Sequence, residues 1–483
     1  MNYYPMLINN ISLRMKKILS IIFLVSLLLT GCDDYLNVLP SSEKEQDEMF
    51  STRDGYRAVL TGAYIRMKQT SLYGQEMTFG IVENLAQHWD YTSGSTGEYL
   101  SSYNYKAQSV EEAFSNLYNN LYKVIADVNG LLRNIDNSNG VLDSTDYNLI
   151  KGEALGIRAL CHFDVLRLYG PMPEKATDGK VLPYVTAVSH TPNAFLTYNQ
   201  FLDRLTADLD VAEQCLAKAD PIRNYSIETL SSSTAVKDSY YSSRQTRMNY
   251  YAVCALQARV ALWKGDRERA LRYARLIIDA KDPAGNKMFR LGTRDDCAKG
   301  DKTFSSEHVF DLKVNDITST IGSGRSYHKS QSELTARLYE KGTSDIRFVN
   351  MWEEVKISYY NRPFYFLKYT QAEKMPALAK NVIPLIRLSE MYLIAIECAP
   401  ADEAAKLYAT FCEARDITPS DISSPDKLRE VLIKEYNKEF YGEGQAFYAY
   451  KRLGATDIYW ASVPGSEATY VVPLPVKEAV YND

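Results

Sequence analysis

Two stretches of this chain read as helix, tight turn, helix, and that pattern limits the fold more than any other feature. Residues 250–263 and 267–278 flank the turn Lys264-Gly265-Asp266, and residues 388–398 and 403–414 flank Pro400. The first helix of each pair is rich in Ala and aliphatic residues. In the second helix of the first pair, Ala270 and Ala274 stand four apart and so share a face, where small side chains let a neighbour approach closely. A hairpin of this kind cannot bury its apolar faces alone and has to stack on others. Further helices are expected at 54–68, 195–217 and 428–441, and at 110–135 a helical pattern runs for nearly the length of a pair. The clearest single helix is 150–169, where Leu155, Ala159, His162, Leu166 and Tyr169 form one stripe at spacings of four and three, stopped by Gly170-Pro171.

These pairs resemble the tetratricopeptide helical hairpin, whose repeats stack on their neighbours. The expected fold is mainly α: a scaffold of such hairpins carrying a large, irregular, loop-rich face. The loops fall at 71–109, 220–248, 283–380 and 454–483, all rich in Gly, Ser, Thr, Tyr and Asp. Loops this long in a compact protein are usually functional. No stretch reads as a linker, so 43–483 is expected to be a single domain.

The N-terminal region reads as an export signal. Lys16-Lys17 precede an apolar run at 18–29, which as a helix rises only about 18 Å against the roughly 30 Å of a bilayer core. That is a signal-peptide segment rather than a spanning helix. Met15 reads as the true start, and 1–31 as the signal peptide. Leu29-Thr30-Gly31-Cys32 resembles a bacterial lipobox, in which Cys32 becomes the lipidated first residue of the mature chain. Residues 32–42 then form the lipidated N-terminus and tether. Asp33-Asp34 resemble signals that direct lipoproteins to the outer membrane and its outer face.

Net charge is −5 with acids and bases interspersed, which argues against a nucleic-acid partner. No HExxH, P-loop, Rossmann or GxSxG fingerprint occurs, and Gly94-Ser95-Thr96-Gly97 lacks the buried strand that a nucleophile elbow needs. The five His are scattered, so no metal site and no cofactor are expected, and His162 on its apolar stripe is expected to be a hydrogen-bonded core residue. Cys161, Cys254 and Cys398 sit in apolar helical patterns and read as small buried hydrophobes. Mostly free thiols are expected.

Several segments together resemble the SusD/RagB family of outer-membrane nutrient-binding lipoproteins. They are Cys32-Asp33-Asp34-Tyr35-Leu36; Gly152-Glu153-Ala154 through Arg158-Ala159; Phe163 to Gly170 closing on Pro171-Met172-Pro173; Asp345-Ile346-Arg347; Pro384 to Ala395; and Val472-Pro473-Leu474-Pro475 with Glu478. The chain departs from the family pattern at Tyr436, Ala446 and Ala449, where an Arg, an Arg and an Asp are usual. Loss of Arg and Asp together reads as a dispensed structural ion pair, because removing both partners can be nearly neutral. The resemblance implies about four tetratricopeptide-like units and a lid over a TonB-dependent, SusC-like transporter barrel. It also implies delivery of oligosaccharides or other nutrients without catalysis, from a lipid-anchored position at the outer membrane facing the cell exterior.

Sugar recognition needs a flat aromatic face beside hydroxyl-binding polar groups, and 37 Tyr supply many candidates. The segment 83–91 offers Trp89 as an exposed platform, with Asn84, Asp90 and Tyr91 beside it. A second region offers Tyr327, Trp352 and Tyr360. Asp345 and Arg347 read as structural. Two other functions remain open from the sequence: a protein-binding scaffold without a small ligand, and a glycoside hydrolase, whose paired carboxylates need only be near in space.

Overall fold

The fold is described from a computed structural model, for residues 48–138, 140–189, 191–232, 234, 236–321, 327–340, 343–358 and 362–480. Cys32, the signal segment and the tether lie outside these residues, as does Tyr360. Residues 53–483 form one compact unit; the residues before them fall in a separate one, of which 48–52 are described.

The main helices are Arg53–Met67 (α1), Gln108–Ile135 (α2), Ser144–Tyr169 (α3), Tyr198–Ala219 (α4), Tyr250–Lys264 (α5), Arg267–Ile278 (α6), Leu388–Cys398 (α7), Ala401–Ala414 (α8), Pro425–Glu439 (α9) and Ala446–Leu453 (α10). From α1 to α8 each helix packs on the next, so neighbours in sequence are neighbours in space. Local chemistry sets the ends. Thr197 and Gln200 close a capping box before α4, and Asn249 caps α5 by accepting from the Ala252 amide at 2.9 Å. Gly265 takes the left-handed conformation after α5 (φ +82°), and Asp266 caps α6 by accepting from the Arg269 amide at 3.0 Å. Ala270 and Ala274 are fully buried where α6 lies between α5 and α7. The expected 110–135 segment is one continuous helix, α2. Among the described residues no helix is long and apolar enough to cross a membrane.

Helix α3 departs from the single-stripe expectation: from Gly152 to Tyr169 it is buried on every side. Its polar residues tolerate this because each is paired. Glu153 accepts from Arg244 Nη1 and Tyr64 Oη, both at 2.6 Å, and Arg158 grips Asp208 with bonds of 2.6 and 2.7 Å. Asp164 accepts from Tyr73 Oη at 2.6 Å. His162 lies in this core as expected. Its Nδ1 donates to the Arg158 carbonyl at 2.9 Å and its Nε2 accepts from the Val185 amide at 2.9 Å. Burial drives its pKa down to about 3, so the ring is neutral. The six cysteines from Cys161 to Cys412 are free thiols; Cys161 and Cys254 are buried, whereas Cys398 is only half-buried.

The long loops contain short strands that periodicity did not indicate. These are Lys180–Leu182 (β1), Leu196–Thr197 (β2), His308–Lys313 (β3), His328–Ser330 (β4), Trp352–Glu354 (β5), Pro363–Phe366 (β6) and Val382–Arg387 (β7). All pair antiparallel: β1 with β2, β3 with β7, and β6 between β4 and β5. Strand β7 leads directly into α7, which fastens the loop-rich part to the helices.

A buried ionic cluster holds the C-terminal part. Arg347 forks onto Asp345 at 2.8 and 2.7 Å and reaches Glu435 at 2.7 Å. Arg387 and Arg415 converge on Glu307 and Glu439 with bonds of 2.7–2.9 Å. Asp345 and Arg347 are thus structural. Tyr436, Ala446 and Ala449 are buried, and Tyr436 and Ala449 pack in one apolar cluster with Leu393, Phe411 and Phe440.

Candidate functional site

Beyond α1 the chain forms two short helices, Ile81–Leu85 and Thr96–Ser101, that stand against α10 and the N-terminal end of α2 respectively. Each has a local cause. Glu76 accepts from the Ile81 amide at 3.1 Å at the start of the first, and Ser95 accepts from the Glu98 amide at 3.3 Å at the start of the second. Ile81, Val82 and Leu85 turn into the core, which leaves Asn84 half-exposed.

Between these helices, α2 and the loop before β4 lies a cleft of about 610 Å³. Gln75, Glu76, Asn84, Glu112, Asn116 and Tyr327 line it. Its wall is thus made of amides, carboxyls and one phenol, with Thr70, Ser71, Thr96 and Ser109 adding hydroxyls. The Tyr327 hydroxyl accepts from Gln75 Nε2 at 3.0 Å, and its ring packs edge-on to Phe79 and 5.0 Å from the Trp89 ring. Burial raises the Tyr327 pKa, against the lowering effect of Gln75, so the phenol keeps its proton. Burial also raises the Glu76 pKa, opposed by the Ile81 amide. A Cβ on Gly97 would stand 3.3 Å from both Asn84 Oδ1 and Tyr91 Cβ. Tyr91, 47 % exposed, therefore sits at the rim beside Asn84.

The structure brings together three of the residues expected from sequence, Asn84, Tyr91 and Tyr327, and separates the others. Trp89 is corrected: it is not an exposed platform but 3 % exposed, with its indole N–H donating to the Phe79 carbonyl at 2.9 Å. Tyr327, Phe366 and Tyr441 surround it at ring distances of 5.0–5.3 Å. The reason is amphipathic: the N–H finds an internal acceptor, so the whole ring can be buried. Trp89 instead backs the Tyr327 ring. Trp352 is likewise a core residue, 6 % exposed in β5 against Phe366 and Tyr441.

Asp90 serves as a fastening. Its amide donates to the His328 carbonyl at 3.0 Å, and its carboxylate lies 3.2 Å from Lys329 Nζ and 3.7 Å from His328 Nδ1. Burial alone would raise its pKa, but His328 and Lys329 outweigh this and lower it.

Sequence reasoning missed Gln75, Glu76, Glu112 and Asn116. A signal was present for α2: Ser109, Glu112, Ala113 and Asn116 are spaced i, i+3, i+4, i+7, a small and polar stripe at helical period. Among the described residues, no three His, Cys, Asp or Glu side chains group to hold a metal ion.

Comparison with known proteins follows this geometry. A SusD-like family model, described as starch-binding associating with outer membrane, matches residues 34–262. SusD-like protein P2 of Formosa agariphila is 24 % identical over 97 % of this chain and 98 % of its own length. SusD-like protein P25 of the same organism is 24 % identical over 42 % of this chain and 39 % of its own. Among solved structures, a SusD superfamily protein from Bacteroides thetaiotaomicron superposes with a TM-score of 0.69 at 20 % identity, covering 89 % of this chain and 98 % of that one. A SusD-like carbohydrate binding protein from Bacteroides vulgatus gives 0.66 at 17 %, covering 89 % and 96 %. Family model, full-length relative and shared fold agree: the chain belongs to the SusD superfamily.

Proposed function

We propose that this protein is a lipid-anchored, non-catalytic binder of oligosaccharides at the outer membrane, which passes its cargo to a TonB-dependent, SusC-like transporter. The observation that carries the reading is the cleft itself. Asn84, Gln75 and Asn116 offer amides for sugar hydroxyls, and Tyr327, held from behind by Trp89, offers an aromatic surface beside them. The family model's description and the name of the Bacteroides vulgatus relative both point to carbohydrate. Four stacked hairpins, α1/α2, α3/α4, α5/α6 and α7/α8, would serve as the tetratricopeptide-like units, and their far side as the surface for the transporter. Cys32 would carry the anchor, and the cleft would open to the cell exterior.

The test is calorimetric titration of full-length protein, in a detergent without a sugar head group, against a broad oligosaccharide panel, with chromatography of each mixture. Expected is binding of one glycan class, abolished by Asn84→Ala or Gln75→Ala, with the sugar recovered intact. Release of shorter sugars would overturn the non-catalytic part, and the pair Glu76 and Glu112 in the cleft would then be the first carboxylates to replace. Saturable binding that both substitutions leave unchanged would remove the cleft from the reading.

A further inference from the structure

The cleft does not end at Asn116. A second cavity of about 620 Å³ lies between the first turns of α2 and the segment 475–478, and Glu112 and Asn116 line both. A third, of about 540 Å³, lies between α2 and the loop 183–193, and it shares Asn119 and Glu478 with the second. The three adjoin along one flank of α2 from Gln108 to Ala126, which at about 1.5 Å per residue is about 27 Å.

The far cavity has the chemistry of a binding subsite. Tyr118 lines it and is 2 % exposed, yet its hydroxyl has no hydrogen-bond partner of good geometry within the protein. The adjacent Tyr122 hydroxyl, although it perturbs Tyr118, already donates to the Pro183 carbonyl at 2.8 Å. Burial first, and then the charge of Glu478, raise the Tyr118 pKa, so the phenol is a neutral donor. Its ring pairs with that of Tyr122 at 4.7 Å, and Val188, 52 % exposed, adds apolar surface opposite the amide of Asn119. A buried polar group without a partner is costly in the free protein and gains by meeting one. Charge narrows the ligand further. Glu76, Glu111, Glu112 and Glu478 line the three cavities against the single cation Lys477, so an anionic chain is repelled along the whole path.

We propose that these cavities are one extended binding furrow for a linear, uncharged oligosaccharide, with a second subsite at Tyr118 distant from the Asn84–Tyr327 cleft. This rests on the oligosaccharide reading above and deepens it. Occupying both subsites makes the second contact intramolecular, so long chains bind more tightly than short ones.

The probes are short and long members of the malto-, cello-, xylo- and manno-oligosaccharide series, with sulfated and uronic chains of matched length, titrated into the full-length protein and into Tyr118→Phe. Expected is a gain of about tenfold from short to long in one neutral series. Tyr118→Phe should weaken the long chain about fivefold and leave the short chain unchanged. Its melting temperature should stay the same or rise, because the substitution removes an unpartnered hydroxyl; a variant that merely misfolds would melt lower and lose both. Equal affinity for short and long chains, with both lost in Asn84→Ala, overturns the furrow and leaves the first cleft standing. Preference for anionic chains overturns it too, and binding of no saccharide overturns both readings.

Discussion

Replacing Trp89 by Ala separates a core tryptophan from a ligand platform. The indole is 3 % exposed, touches three aromatic rings at 5.0–5.3 Å and donates to the Phe79 carbonyl at 2.9 Å. Deleting a buried Trp side chain costs about 3–5 kcal/mol. The Phe79 carbonyl left without its donor adds about 1 kcal/mol. Unfolding entropy of about 2.1 cal/mol/K per residue gives about 0.9 kcal/mol/K for the roughly 430 residues from Arg53 onward. A loss of about 4–5 kcal/mol therefore lowers the melting temperature by about 5 °C if the unit melts as one. Trp89→Phe keeps most of the packing but not the N–H, so its loss should be well under half as large. The assay is scanning calorimetry beside oligosaccharide titration at a temperature where both variants are folded. A Trp89→Ala protein that melts within a degree of the parent yet no longer binds sugar would refute the reasoning, because only an exposed ring behaves so.

Three further outcomes are expected. His162 is neutral when folded, with a pKa of about 3 caused by burial, whereas the unfolded chain takes up that proton near pH 6.5. Stability contributed by this site is therefore full above about pH 6.5 and falls by about 1.4 kcal/mol per unit toward pH 3. In urea titrations at pH 7 and pH 4.5 the parent should lose about 2–3 kcal/mol more than His162→Gln does. Arg347→Met strips the buried Asp345 and Glu435 of their shared cation and should cost about 3–5 kcal/mol. Burial alone would raise the Asp345 pKa, but Arg347 and Lys438 lower it, so its contribution is present above about pH 4 and lost below; acid titration should find the variant unfolding at higher pH than the parent. Gly444→Ala meets both φ +68° and a Met77 carbonyl oxygen 2.1 Å from the added Cβ, and should cost about 2 kcal/mol or more in thermal melts.

Helices are read from neighbours along the chain, and here those signals were sufficient. Gly265 and Asp266 marked the turn between α5 and α6, Gly170-Pro171 marked the end of α3, and the Ala270–Ala274 spacing marked the face that α6 buries. The strands β3 to β7 were not legible, since a run of three to six residues in a polar loop carries little periodicity and its partner lies far off. His308 pairs with Arg387, for example, across a large part of the chain.

The site divides in the same way. The sequence by itself determined a helical scaffold with long loops, the pairing of its helices, and the aromatic and amide side chains available for recognition, because each depends on residues within one or two turns of one another. Only the tertiary structure decided which of them face solvent. Trp89 was buried by Phe366 and Tyr441, far along the chain, and Tyr327 was brought to Gln75 across 252 residues. Burial depends on what folds over a residue, and no local pattern carries that information.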